Sequence, residues 1–204
     1  LKSNRINKEY SFPMILDKSY SYKFGAKDLR SFNGCHGENV TILISETSCQ
    51  KDIFTLSIST SSQTEVIHLN PNYGNLTIES VGSKGRKGRN GRDGRDEFEN
   101  SVATEGQNGG YGGDGGDGGN INIHLPQSFA KYTHVLKLKN NGGKGGPGGD
   151  GGRGGIFLDD DAGSGSFWLN LLEAVTVGTP GMKDGIPGKP GRNGRNGEIN
   201  FVYY

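Results

Sequence analysis

Three groups of side chains in this sequence have types and spacings suited to recognition chemistry. The first is the acidic run Asp159-Asp160-Asp161, followed by Gly163-Ser164-Gly165 and flanked by Phe157, Phe167 and Trp168, the sole tryptophan. Flexible, oxygen-rich loops of this kind are what calcium selects, yet adjacent carboxylates in a loop are more often simply solvated. The expectation is therefore no metal and no other cofactor, calcium being the one ion the loop suits. Glu97-Phe98-Glu99 carries the same aromatic–acidic mixture. The third group is Arg86, Arg89, Arg92 and Arg95, recurring every third residue beside Lys84 and Lys87. A regularly spaced basic ridge suits an anionic polymer such as a polysaccharide or a phosphorylated surface glycan. The plainer reading is that these cations solubilise the chain and bridge to Asp114, Asp117 and Asp150.

No catalytic constellation accompanies these groups, and the chain is expected not to be an enzyme. His36, His68, His124 and His134 are scattered, without an HExxH, a CxxC pair or a nucleophile elbow. His124 and His134 fall in expected strands and read as a cross-strand pair in preference to a metal site. A net charge of +1 argues against a general nucleic-acid binder. No run of eighteen apolar residues exists, so no membrane span is expected. Cys35 and Cys49 suit one disulfide closing a small loop, with two free thiols as the alternative.

What must position the three groups is glycine. The chain has 37 glycines in 204 residues and 30% hydrophobic residues, too few apolar groups for a conventional core along its whole length. Glycine at every third position defines four tracts of five triplets each. They are Gly82–Asp96 (tract one), Gly106–Asn120 (tract two), Gly142–Ile156 (tract three) and Gly185–Ile199 (tract four). A disordered linker has no reason to keep one period and one length. A repeat of three is that of the polyproline-II conformation, whose backbone forms no internal hydrogen bonds and must bond to neighbours. Tracts two and three, mostly Gly-Gly-X, present two bare backbone faces and are expected inside a bundle; tracts one and four, Gly-X-X, are expected at its edges. Collagen is disfavoured because tract one has no proline, and a calcium β-roll because its core positions would be glycine.

Alternating apolar and polar residues mark strands that enter or leave the tracts: 76–81, 121–125, 134–139 and 199–204. The chain thus reads as strand, tract out, tip, tract back, strand, performed twice, with 126–133 as the joint. Further strands are expected at 40–44, 53–58 and 66–69, and Gly34–Gly37 reads as the start of a fifth, short glycine rod. The fold class is an all-β base (sheet or sandwich) continuing into a bundle of about four polyglycine-II helices, with essentially no α-helix. Residues 1–81 form the β-rich N-terminal part and 82–204 the glycine-rich part with interleaved strands, expected as one continuous domain. Residues 97–105 and 157–184 become the tips.

Tandem Gly-Gly-X motifs separated by aromatic-rich loops, at 106–120 and 142–170, resemble the receptor-binding adhesin at the tip of T-even-type phage long tail fibres. A bacterial surface collagen-like protein is the other likeness. The first resemblance implies that distal loops contact a receptor, here Glu97, Phe98, Glu99, Phe157, Asp159, Asp160, Asp161, Phe167 and Trp168. The expected function is an extracellular adhesion or recognition module, secreted or at the cell surface, whose partner is a cell-surface glycan or protein receptor. A structural spacer of a larger surface protein is the second reading.

Overall fold

The computed structural model describes residues 19–25, 31–47, 52–97, 102–157 and 181–204. Runs of β-branched and aromatic residues form two sheets. β2 (Val40–Glu46), β3 (Phe54–Ser59) and β4 (Thr64–Leu69) pair antiparallel, and β2 continues in parallel to β6 (Ile121–Leu125) and β8 (Ile199–Tyr203). The second sheet is parallel throughout, in the order β1 (Tyr20–Lys23), β5 (Leu76–Glu79), β7 (Leu136–Lys139). β1 was not expected from the sequence, where Tyr-Ser-Tyr-Lys, four residues that all carry a polar group, gives little alternation to read.

The sheets face each other over one core in which Val40, Ile42, Ile44, Leu56, Leu76, Ile78, Ile121, Ile123 and Leu125 are wholly buried. A 3-10 helix, Gln127–Val135, joins β6 to β7 and contributes Phe129 and Val135 to that core. His134 belongs to this helix and not to a strand, and His124 pairs with Leu43 and Val202 on β2 and β8. The expected His124–His134 cross-strand pair is therefore corrected: β6 and β7 lie in different sheets. Glu79 on β5 receives Lys139 at 2.7 Å and Lys23 at 3.4 Å. The hydrogen bond from Lys139 is the main reason its carboxyl titrates below the usual range.

Parallel strands need long crossovers, and here the glycine tracts supply them. β5 runs into tract one and β7 into tract three; tract two returns into β6 and tract four into β8. A short stretch, 31–39, likewise runs into β2. Each excursion therefore leaves from the three-stranded sheet and returns to the five-stranded one. The tracts have neither helix nor strand assignment, yet backbone hydrogen bonds join them at every third residue. Tract one donates to tract three from Gly85, Gly88, Gly91 and Gly94, and to Asn141 just before it from Gly82; tract two donates to tract four from Gly109, Gly112, Gly115 and Gly118, and to Lys183 just before it from Gly106. Both of these pairings are parallel. Antiparallel bonds cross between the two rows, from tract two to tract one (Gly110 to Arg89, Gly113 to Arg86), tract three to tract two (Gly146 to Gly113) and tract four to tract three (Gly191 to Gly146), at 2.7–2.9 Å.

The row order copies the strand order. Tracts one and three continue β5 and β7; the stretch 31–39 and tracts two and four continue β2, β6 and β8. Stretch 31–39 bonds to tract two (Gly34 to Asp114, Gly37 to Asp117) and receives Ser83 and Arg86 of tract one on Cys35 and Phe32. Tract two thus touches four neighbours, tracts one and three touch three each, and tract four two. The expected placement of tract one at an edge is corrected: 31–39 covers its first half as far as Phe32, and among the described residues nothing covers this side of it farther on.

Candidate functional site

The expected tip residues divide. Phe98, Glu99, Asp159, Asp160, Asp161, Phe167 and Trp168 lie outside the described residues, as does Cys49, the expected partner of Cys35. Glu97 and Phe157 are described. They end the parallel tracts one and three, where the Glu97 N–H donates to the Ile156 carbonyl at 3.0 Å, and Phe157 is 40% exposed. Thr104, Gly155 and Met182 are chained at the same level, Gly155 donating to Thr104 and Met182 to Gly155 at 2.9 and 2.8 Å. All four tracts therefore end together, and both tip loops leave from the end remote from the sheets.

Arg86, Arg89, Arg92 and Arg95 are exposed along tract one. Their carbonyls are committed, accepting the N–H groups of Gly113, Gly110, Gln107 and Thr104. Among the described residues the lysine ion pairs are Lys23 and Lys139 with Glu79, and Lys87 with Asp150. The expected bridging of these cations to the aspartates is met at Asp150, by Lys87, while no ion pair of Arg89, Arg92 or Arg95 is seen among the described residues. Asp150 takes Lys87 at 2.8 Å, whose hydrogen bond and charge lower its pKa.

Asp114 and Asp117 have another task. Each presents a side-chain oxygen to the next tract of its row: Asp114 Oδ1 accepts the Arg192 N–H and Asp117 Oδ1 the Arg195 N–H, both at 2.7 Å. The device recurs throughout. Asn108 and Asn120 hold Ile186 and Glu198; Asn90, Asp93 and Asp96 hold Asp150, Arg153 and Ile156; Asn33, His36 Nδ1 and Asn39 hold Asp114, Asp117 and Asn120. The sequence separations are constant at 78, 60 and 81, and they equal those of the pairs β6–β8, β5–β7 and β2–β6. Strand register is thereby carried into the glycine tracts without a slip. Tract three ends its row, and its outer N–H groups are sealed instead by Asn196 and Asn193 of tract four at Gly142 and Gly145, and by Asp184 just before that tract at Gly154.

Sequence reasoning missed this ladder, although its signal was present. Asn or Asp recurs at the third position of the triplets in tracts one, two and four, where an X residue free to vary would show no such bias. A glycine costs roughly 0.5–1 kcal/mol relative to alanine in regular structure, comparable to the net worth of one hydrogen bond. The side-chain bonds therefore help decide the balance. Asp114→Ala with Asp117→Ala is expected to lower stability by about 2 kcal/mol in urea unfolding, at about 1 kcal/mol per lost bond, while Asp114→Asn with Asp117→Asn retains most of it. Equal stability of the alanine and parent proteins would show that the ladder carries no weight.

At the sheet end of the ladder, His36, Asn39, Asp117, Asn120, Arg195 and Glu198 line an open depression of about 450 Å³. No helix among the described residues is long and apolar enough to cross a membrane. No family model, no curated protein and no solved structure matches the chain.

Proposed function

We propose that the four tracts and the stretch 31–39 are polyglycine-II helices, packed as one rigid bundle on the β-sandwich. We further propose that the chain is an extracellular recognition module, a binding protein in preference to an enzyme, secreted or displayed at a cell surface. The observation that carries the first part is hydrogen bonding at every third residue, made between tracts and, among the described residues, never within one. That is what a threefold helix without internal bonds requires. The second part rests on the two excursions ending at one level, where the chain enters and leaves residues 98–101 and 158–180 from one stiff support. Rigidity lowers the entropy lost on binding. The tip sequences combine aromatic and acidic residues, Phe98 with Glu97 and Glu99, and Trp168 with Asp159, Asp160 and Asp161, and their partner is a cell-surface glycan or protein.

A structural spacer is the second reading, favoured by the ladder of Asn and Asp side chains spent on neighbouring tracts. Glycan-array and whole-cell binding separate the two. Replacing Trp168 and Asp159–Asp161 by Gly-Ser is expected to abolish binding while leaving thermal stability within about 1 kcal/mol, as for surface changes. Full binding by that variant would end the tip reading.

A further inference from the structure

Among the described residues, the stretch 31–39 occupies the packing position between tracts one and two only as far as Phe32. Alongside it every donor is answered. The Ser83 and Arg86 N–H groups of tract one reach Cys35 and Phe32, and the Asp114 and Asp117 N–H groups of tract two reach Asn33 and His36. One and two triplets farther toward the tip, the same columns continue with Arg89 and Arg92 on tract one and Tyr111 and Asn108 on tract two. Their N–H groups have no hydrogen-bond partner among the described residues.

The residue types mark the same boundary. Where 31–39 packs, a Cβ on tract two would lie 2.1 Å from the Phe32 carbonyl at Gly113 and 1.9 Å from the Cys35 carbonyl at Gly116, so glycine is obligatory. Beyond Phe32 the nearest atom to a Cβ on Gly110 is 3.2 Å away, on Arg89, and the next position is Gln107. The demand for glycine stops where the stretch stops, so this side of the groove is not shaped for a close-packed backbone. Exposed Arg89, Arg92 and Arg95 form its wall, and they enter no ion pair among the described residues. Tyr111, 69% exposed, borders the other side.

We infer that this groove binds an acidic polysaccharide carrying about one anionic group per disaccharide. Guanidinium groups and unspent backbone N–H groups together make an anion site. On the polyglycine-II reading, on which this inference rests, the arginines repeat every three residues at about 9 Å, close to a disaccharide repeat. Charges on a nucleic-acid strand are packed far more densely, at about 3.4 Å along a duplex axis.

The full chain is titrated with a hyaluronan fragment, which has one carboxylate per disaccharide, with neutral dextran, and with a single-stranded oligonucleotide. Hyaluronan is expected to bind, and more weakly as salt rises. R89E/R92E should weaken it at least about tenfold, a loss typical of removing charge-assisted contacts. K144E/K189E changes net charge equally on exposed positions elsewhere and should stay within about twofold, as screened distant charges do. R89Q/R92Q, checked for an unchanged circular dichroism spectrum, should fall between. The Gly-Ser tip variant should bind hyaluronan like the parent protein, which separates this site from the tips. Absence of hyaluronan binding, equal loss in K144E/K189E, or oligonucleotide binding with the same arginine dependence would overturn the inference. Failure of the polyglycine-II reading shows elsewhere, in the stability of Gly115→Val.

Discussion

Gly115→Val and Gly148→Val are each expected to prevent stable folding of the glycine-rich part. A Cβ at Gly115 would stand 2.1 Å from the Gly143 carbonyl oxygen, and one at Gly148 1.9 Å from that of Gly188. Real Cβ atoms do not approach backbone that closely, and these obstacles are not side-chain ends that can swing aside. The Gly143 carbonyl is itself fixed by the Gly194 N–H at 2.9 Å. No glycine of the four tracts has a φ in the left-handed region, so the requirement is one of space and not of backbone freedom. To admit a valine, two tracts must separate, which breaks bonds at neighbouring triplets as well. A cost above about 4 kcal/mol is the signature of such overpacking, against a total stability of about 5–15 kcal/mol for a domain. Gly181→Ala is the control, since its nearest obstacle is 3.1 Å away, and should change stability by less than about 1 kcal/mol. Thermal and urea unfolding followed by circular dichroism measures all three. An unaltered melting temperature in Gly115→Val would refute the close packing of tracts two and three.

How far this architecture was legible in the sequence depends on which force shapes each part. Strands β2 to β8 were visible because burial of one face imposes alternation: Ile121-Asn-Ile-His-Leu125 reads as a strand and is one. The equal tract lengths were visible because glycine every third residue has few other causes. The 3-10 helix was not, because Gln127–Val135 is short and draws its structure from Phe129 and Val135 docking in the base, a tertiary effect. The pairing of β2 with β6, 81 residues apart, leaves no local trace. Nor does the neighbour of each aspartate. Asp114 looks like an ion-pair partner until register places the Arg192 N–H, and not an arginine side chain, in front of it. Of the candidate site, the arginine ridge was read from its period, but the groove beside it depends on where 31–39 ends, which only the hydrogen-bond columns reveal.

Phe129→Ala tests whether the sandwich and the tracts unfold as one unit. Phe129 is fully buried and meets Phe54 edge-on at 4.8 Å, with Tyr132 5.9 Å away. It is the anchor of the helix joining the two excursions, and it closes the base between the sheets. Truncation should cost about 3–5 kcal/mol from lost burial plus the cavity left behind; Phe129→Leu should cost clearly less. The consequence for the tracts follows from register. Each parallel strand pair continues into a tract pair at the same sequence offset, so the sheets hold the tracts in step at one end. Hydrogen exchange of the Gly113 and Gly146 amides, both donors between rows at 2.8 Å, reports on the tracts, while circular dichroism in the β region reports on the sheets. Both are expected to lose protection together in Phe129→Ala, with one shared midpoint. If the glycine amides stay protected after the sheets have melted, the tracts hold themselves together and the sandwich is only an attachment. If they exchange first, the sheets are the independent unit. A shared midpoint ties the position of the tip loops to an aromatic contact at the opposite end of the molecule.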